Sequence, residues 1–163
     1  MEIERKFLVK QLPADLSSFQ CLCIEQAYLC TNPVIRIRRQ DNDYYLTYKG
    51  KGLLAREEYN LPLTKEAYFH LKEKADGIII SKKRYLIPIP EPTFADGYEI
   101  GEASPDLKIE LDIFHSPLVP LIIAEVEFPD EKMANAFLPP DWLGDDVTND
   151  PEYHNSNLSK KHL

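Results

Sequence analysis

Charged residues recur at every second position through most of the chain, and that pattern constrains the fold more than any other feature. Glu2, Glu4 and Lys6 stand at i, i+2 and i+4. Arg36 with Arg38, Arg56 with Glu58, Lys82 with Arg84, Glu110 with Asp112 and Glu125 with Glu127 repeat the spacing, and Lys49 adds a single charge from a further alternating stretch. A period of two is the strand signature, because successive side chains on a strand point to opposite faces. The interleaved positions are mostly apolar or aromatic: Ile3 and Phe7, Ile35 and Ile37, Tyr85 and Ile87, Ile109 and Leu111, Ala124 and Val126. Arg5 is the exception in the first stretch.

The alternation predicts strands over 2–9, 23–29, 34–39, 44–49, 56–61, 78–87, 108–114 and 121–128. Polar turns, Gln40–Asp43 and Gly50–Gly52, separate neighbours. Consecutive strands with short connections imply a meandering antiparallel sheet or barrel. Helices are fewer. Thr64 caps one expected to run to Asp76 and stop at Gly77, and Asp130 caps a short one to Leu138. The stretch 88–105 reads as a long loop or widened hairpin, and 152–163 as a last helix or a loosely packed tail. At 163 residues the chain suits one domain, 1–163, with a real core.

One alternating strand, taken alone, is half-exposed with its charges in water. Taken together, the strands point elsewhere. Arginines cluster at Arg36, Arg38, Arg56 and Arg84, and carboxylates come in pairs at both ends of the chain. If the sheet closes with this face inward, Glu2, Glu4, Glu58, Glu110, Asp112, Glu125 and Glu127 share one tunnel with Lys6, Arg36, Arg38, Lys49, Arg56, Lys82 and Arg84. Such an interior must hold something charged, since unpaired buried charge is costly. A polyanion bound with divalent cations needs both signs: arginine and lysine donate to phosphate oxygens, and carboxylates hold magnesium.

Composition narrows the partners. A net charge of −8 argues against nucleic acid or an anionic membrane. Three cysteines, Cys21, Cys23 and Cys30, have no histidine near them in sequence and read as reduced, partly buried thiols in a cytoplasmic protein. There is no signal-peptide pattern and no run approaching the ~18 apolar residues of a membrane span. His70, His115, His154 and His162 are scattered and are expected in solvent, without a catalytic role. Trp142, Phe137, Phe128 and Tyr153 are expected in the core, and Lys83, on the face opposite Lys82, at the surface.

The opening Glu2-Ile-Glu4-Arg-Lys6 resembles the ExExK signature of the CYTH superfamily, the triphosphate tunnel metalloenzymes. Gln26-Ala-Tyr28, Arg36-Ile-Arg38, Thr47-Tyr-Lys49, Arg56-Glu-Glu58, Lys82-Lys-Arg84-Tyr85, Glu110-Leu-Asp112, Glu125-Val-Glu127 and Asp146-Val-Thr148-Asn-Asp150, with Tyr153 and Asn155, resemble its blocks in the same order. The resemblance implies a closed eight-stranded antiparallel barrel with flanking helices. It also implies Mg2+- or Mn2+-dependent hydrolysis of inorganic tripolyphosphate, with two ions in the active complex. Adenylate cyclase and thiamine triphosphatase are alternative activities in the family, and a polyphosphate- or nucleotide-binding module is the non-enzymatic alternative. The resemblance makes Glu2, Glu4, Glu58, Glu110, Asp112, Glu125 and Glu127 candidate metal ligands. Lys6, Arg36, Arg38, Lys49, Arg56, Lys82 and Arg84 become phosphate contacts, and Lys82, Glu127 and Lys6 the catalytic candidates. A monomer or homodimer is expected. The family often carries a carboxylate two residues beyond Glu58; Asn60 stands there, removing one contact expected at the second metal.

Overall fold

The computed structural model describes residues 1–101 and 105–161. His162 and part of the 88–105 stretch lie outside the described residues. Every alternating stretch is a strand. In chain order they are β1 (Glu2–Val9), β2 (Gln20–Thr31), β3 (Val34–Gln40), β4 (Asp43–Lys49), β5 (Ala55–Arg56), β6 (Glu58–Pro62), β7 (Asp76–Ile89), β9 (Leu107–Phe114) and β10 (Ile122–Glu127). Three short strands complete the set: β8 (Thr93–Phe94), β11 (Phe137–Leu138) and β12 (Leu143–Asp146).

The main sheet runs β12-β1-β10-β9-β7-β2-β3-β4-β6, with every paired neighbour antiparallel. Glu57 interrupts what is otherwise one stave, so that β6 pairs with β4 while β5 turns onto β1, with Glu2 opposite Arg56. That two-residue contact joins the ends of the sheet into a barrel of eight staves. β12 is an additional strand on the far half of β1, beyond the contact with β5.

The barrel is apolar outside and charged inside, the reverse of a sheet that faces water. Phe7, Ile109, Leu111, Val126, Phe128, Met133 and Phe137 form a core on the outer wall, covered by α2 (Glu131–Ala136) and the β8–β11 pair. α1 (Lys65–Lys72) covers Ala27 and Ile37 with Tyr68. Inward positions turn apolar only near one end, where Tyr28, Val34, Ile80, Phe114 and Ile123 pack with Leu158 of α3 (Asn155–Leu158). Arg5, the exception in the outward pattern, ties this cover down. It donates to the carbonyls of Ala134 and Phe137 at 2.8 and 2.7 Å, pairs with Asp146 at 2.9 Å and lies over the Phe7 ring. Carbonyls at the end of α2, which have no partner within the helix, are thereby satisfied.

Some boundaries differ from the sequence expectation. α1 ends at Lys72, and β7 already begins at Asp76, opposite Tyr28 of β2. Gly77 is a position in β7, not a helix stop. Its φ of +72° suits glycine, and a Cβ there would lie 2.1 Å from the Ser159 carbonyl, which accepts from Ile78 N at 2.7 Å. The chain thus needs glycine to bring the C-terminal segment against the barrel. Leu138 belongs to β11, since Phe137 opposite Phe94 extends α2 into a strand pair. The 88–105 stretch includes the end of β7 and β8. Cys21 and Cys23 are exposed on the outer face of β2, more open than expected.

Candidate active site

Register carries the charges into one space. Glu4 stands opposite Glu127 and Lys6 opposite Glu125 across β1 and β10; Glu125 faces Glu110 across β10 and β9; Lys49 faces Glu58 across β4 and β6. Twelve of the fourteen candidates — Glu2, Glu4, Lys6, Arg36, Arg38, Lys49, Arg56, Glu58, Arg84, Glu110, Glu125 and Glu127 — line a cavity of about 220 Å³. Lys82 and Asp112 are placed differently. Both are 0 % exposed, joined Nζ to Oδ2 at 2.7 Å, and sit in the wall instead of facing the cavity. Asp112 also takes the Arg84 fork, Nε to Oδ1 at 2.7 Å and Nη2 to Oδ2 at 2.8 Å. Lys82 and Asp112 thus form a buried pair behind Arg84. Adjacent strands leave these two short of the lumen and next to each other.

The two signs are unevenly paired. Lys49 binds Glu2 at 2.8 Å, Lys6 lies 3.6 Å from Glu125, and Arg84 also engages Glu110. Arg36 and Arg38, 4 % and 7 % exposed, have no carboxylate partner among the described residues. Arg38 holds only Gln26 Oε1, at 3.0 and 2.6 Å, and Tyr45; Arg36 donates to Thr47 Oγ1 at 3.2 Å and leaves its Nε unpartnered. Burial and the charges of Arg36 and Arg84 push Arg38 below the ordinary guanidinium value. β3, which carries both arginines, lies four staves around the ring from β10, which carries Glu125 and Glu127. A basic wall thus faces an acidic one.

On the acidic side, Glu4 and Glu127 have no ion-pair partner among the described residues. Burial, then the charge of Glu125, pushes the Glu4 carboxyl up to about 8. Burial also raises Glu127, helped by Glu2 and Glu110, and raises Glu2, with the neighbouring Glu58 carboxylate adding to the effect. Glu125 goes the other way: burial opposes ionisation, but Lys6, Arg84 and Lys82 outweigh it and hold the carboxyl well below the usual range. Burial lowers Lys82 to about 7 despite Asp112, because Arg84 and Arg38 add to the cost of its charge. No three histidine, cysteine or carboxylate side chains among the described residues converge as a preformed metal cluster. The oxygen donors left without cations, Glu4 and Glu127 with Glu2 and Glu125 beside them, are still the hard set that a divalent cation takes. Magnesium commonly uses one or two carboxylates and completes its shell with water and substrate phosphate.

Neutral groups complete the wall. Tyr28, Gln40, Tyr45, Thr148, His154, Asn155 and Ser156 also line the cavity, and charge spacing gave no sign of them. Tyr28 and Gln26 have inward parity on β2, which carries no inward charge there and so read as silent. Thr148 and Asn155 were visible only in the family's closing segment. His154 corrects the expectation of a solvent histidine: it is half-buried at the cavity, its Nε2 3.3 Å from the Thr148 carbonyl, and burial and Lys6 lower its pKa. The segment around it reaches the basic groups. Tyr153 O accepts from Lys6 Nζ at 3.3 Å, and Asn155 Oδ1 from Lys82 Nζ at 3.4 Å. His70 and His115 are exposed as expected.

An antiparallel barrel with its charges inside, basic on one wall and acidic on the other, defines the class: a barrel protein with a charged tunnel. The chain belongs to the CYTH family: the CYTH domain matches residues 1–127. It is 35% identical over 161 residues to an inorganic triphosphatase of Nitrosomonas europaea, covering 97% of this chain and 96% of the relative. It is 34% identical over 164 residues to an inorganic triphosphatase of Acetivibrio thermocellus, covering 98% and 93%. A crystal structure of an inorganic triphosphatase superposes with a TM-score of 0.69 at 32% identity, over 99% of this chain and 96% of the other. A Hippeastrum protein, 15% identical over 82% of each chain with a TM-score of 0.55, shares the fold. No helix among the described residues is long and apolar enough to cross a membrane.

Proposed function

We propose that this chain hydrolyses inorganic tripolyphosphate to pyrophosphate and phosphate in the barrel cavity, with Mg2+ or Mn2+, and two ions in the active complex. The observation that carries this reading is the pair of buried arginines, Arg36 and Arg38, which have only neutral partners across from unpaired carboxylates. A buried guanidinium without a counterion is a costly state unless an anion completes it. The whole-length relatives named inorganic triphosphatase support the choice of anion.

Arg36 and Arg38 would grip phosphoryl oxygens, with Lys49 and Arg56 nearer the β1–β5 closure. Arginine suits this role because its planar fork meets phosphate in two bonds. A divalent cation held by Glu2, Glu4, Glu125 and Glu127 would neutralise the polyphosphate and polarise the attacking water. Lys6, balanced against Glu125, supplies a positive charge on the acidic side. Arg84 faces the cavity with its orientation set by Asp112, so Lys82 and Asp112 act here as positioning residues. Preorganised donors of this kind stabilise the transferred phosphoryl group and the leaving phosphate without reorganising. The reading places the protein in the cytoplasm, acting on a small molecule as a monomer or homodimer.

The test is purified protein with magnesium or manganese and a panel of tripolyphosphate, ATP and thiamine triphosphate, with products separated. Phosphate plus pyrophosphate from tripolyphosphate is expected. Cyclic AMP from ATP, with no cleavage of tripolyphosphate, would overturn the reading.

A further inference from the structure

One transverse row of the barrel carries a hydrogen-bond chain that runs from Arg36 to Glu58 through two neutral side chains. Arg36 on β3 stands opposite Thr47 on β4, which stands opposite Asn60 on β6. Arg36 Nη2 donates to Thr47 Oγ1 at 3.2 Å, Thr47 Oγ1 donates to Asn60 Oδ1 at 2.6 Å, and Asn60 Nδ2 donates to Glu58 Oε1 at 3.0 Å. Every donor points the same way, from the cation to the carboxylate. A hydroxyl has one proton; because Asn60 takes it, Thr47 can offer Arg36 only a lone pair. Thr47 is 0 % exposed, so solvent does not compete for either bond.

We propose that Thr47 and Asn60 are a neutral relay that positions Arg36 for a phosphoryl group while keeping its charge uncancelled by Glu58. Arg36 and Glu58 both line the cavity. If they met directly, the ion pair would satisfy the guanidinium and remove it from the anion site. Two interposed dipoles hold both groups in place and keep them apart. This explains why a neutral amide at position 60 works. A carboxylate there could still accept from Thr47, but it would lose the donor to Glu58 and set a second negative charge beside it. It would also bring a full negative charge to the end of the row that orients Arg36. The inference rests on the reading of the cavity as a polyphosphate site.

The test is calorimetric binding of tripolyphosphate in chelator, alongside steady-state kinetics with magnesium. Thr47→Val keeps the shape and removes the hydroxyl; metal-free affinity should fall about tenfold or more, the loss of one partner of a charged hydrogen bond. Thr47→Ser keeps the hydroxyl and should bind within about twofold of wild type. A Thr47 that merely packs predicts the reverse order, with valine silent and serine damaging. Asn60→Asp should weaken metal-free binding about tenfold by the same count. Leu61→Asp, which adds the same charge on the exposed outward face of β6, serves as the charge control and should leave binding within about twofold. Wild-type affinity in Thr47→Val, or equal effects of Asn60→Asp and Leu61→Asp, overturns the relay. Wild-type protein that binds tripolyphosphate without cleaving it refutes the hydrolase reading and leaves the relay to be decided by these affinities. Wild-type protein that binds no polyphosphate overturns both.

Discussion

Arg38→Met separates the cost of holding a buried charge from its use. The guanidinium is 7 % exposed, and its Nε and Nη2 both rest on Gln26 Oε1, at 3.0 and 2.6 Å. Methionine fills the space of the stem and removes the charge. In the free protein two changes oppose each other. The Gln26 carbonyl loses its donors, a loss of about 1–3 kcal/mol for a buried acceptor. Against that, a cation that burial, Arg36 and Arg84 all disfavour has gone. Stability should therefore change by less than about 2 kcal/mol, a shift of only several degrees in Tm. Binding has no such offset. One or two charge-assisted bonds to phosphoryl oxygens, each about 1.5–3 kcal/mol, disappear. Taking about 3 kcal/mol, affinity for tripolyphosphate falls roughly two orders of magnitude. Those contacts exist in ground and transition states alike, so KM should rise while kcat changes little. Thermal denaturation, metal-free calorimetry and steady-state kinetics measure the three quantities. A folded variant with wild-type KM and wild-type affinity would show that Arg38 does not meet the substrate, and the basic wall would lose its meaning.

Excess chelator should abolish turnover, and calcium, larger and looser in coordination, should restore far less than magnesium; equal rates would count against a metal site of demanding geometry. Glu127→Gln should cost most of the turnover while metal-free tripolyphosphate affinity holds or rises, since an anion facing the phosphates is lost; calorimetry beside the rate assay decides it. Glu4 is raised in the folded state from 4.5 to about 8, so its contribution to stability is present below its unfolded value and is lost as pH rises through about 8. Glu4→Gln should accordingly stabilise the metal-free protein at pH 9, by up to about 5 kcal/mol, and far less at pH 5, read by denaturant unfolding at both. Asp112→Asn leaves Lys82 and Arg84 without their shared anion and should destabilise by about 3–5 kcal/mol, visible as a lower denaturation midpoint.

The barrel was legible because its interior is charged. Period two marks both faces of a strand, but apolar residues alone do not say which face is inside. Here the helices and the β8–β11 pair cover the apolar wall, and carboxylates and guanidiniums left inward at one parity trace the ring in the sequence itself. The same logic explains what escaped. β5, β8 and β11 have two residues each, too few for a period, and β5 is the contact that closes the barrel. Gln26, Tyr28, Tyr45 and Thr47 face inward without charge, so nothing in their spacing separated them from an ordinary polar strand. His154 and Asn155 approach the cavity from a C-terminal segment pinned at Gly77, an approach that no local pattern encodes. Depth escaped as well. Lys82 and Arg84 have the same parity, yet only Arg84 faces the cavity, because Lys82 lies nearer the end packed by Phe114 and Leu158 and finds Asp112 first. Parity decides which face a residue takes; position along the stave decides whether it meets a ligand or the partner that holds another residue in place.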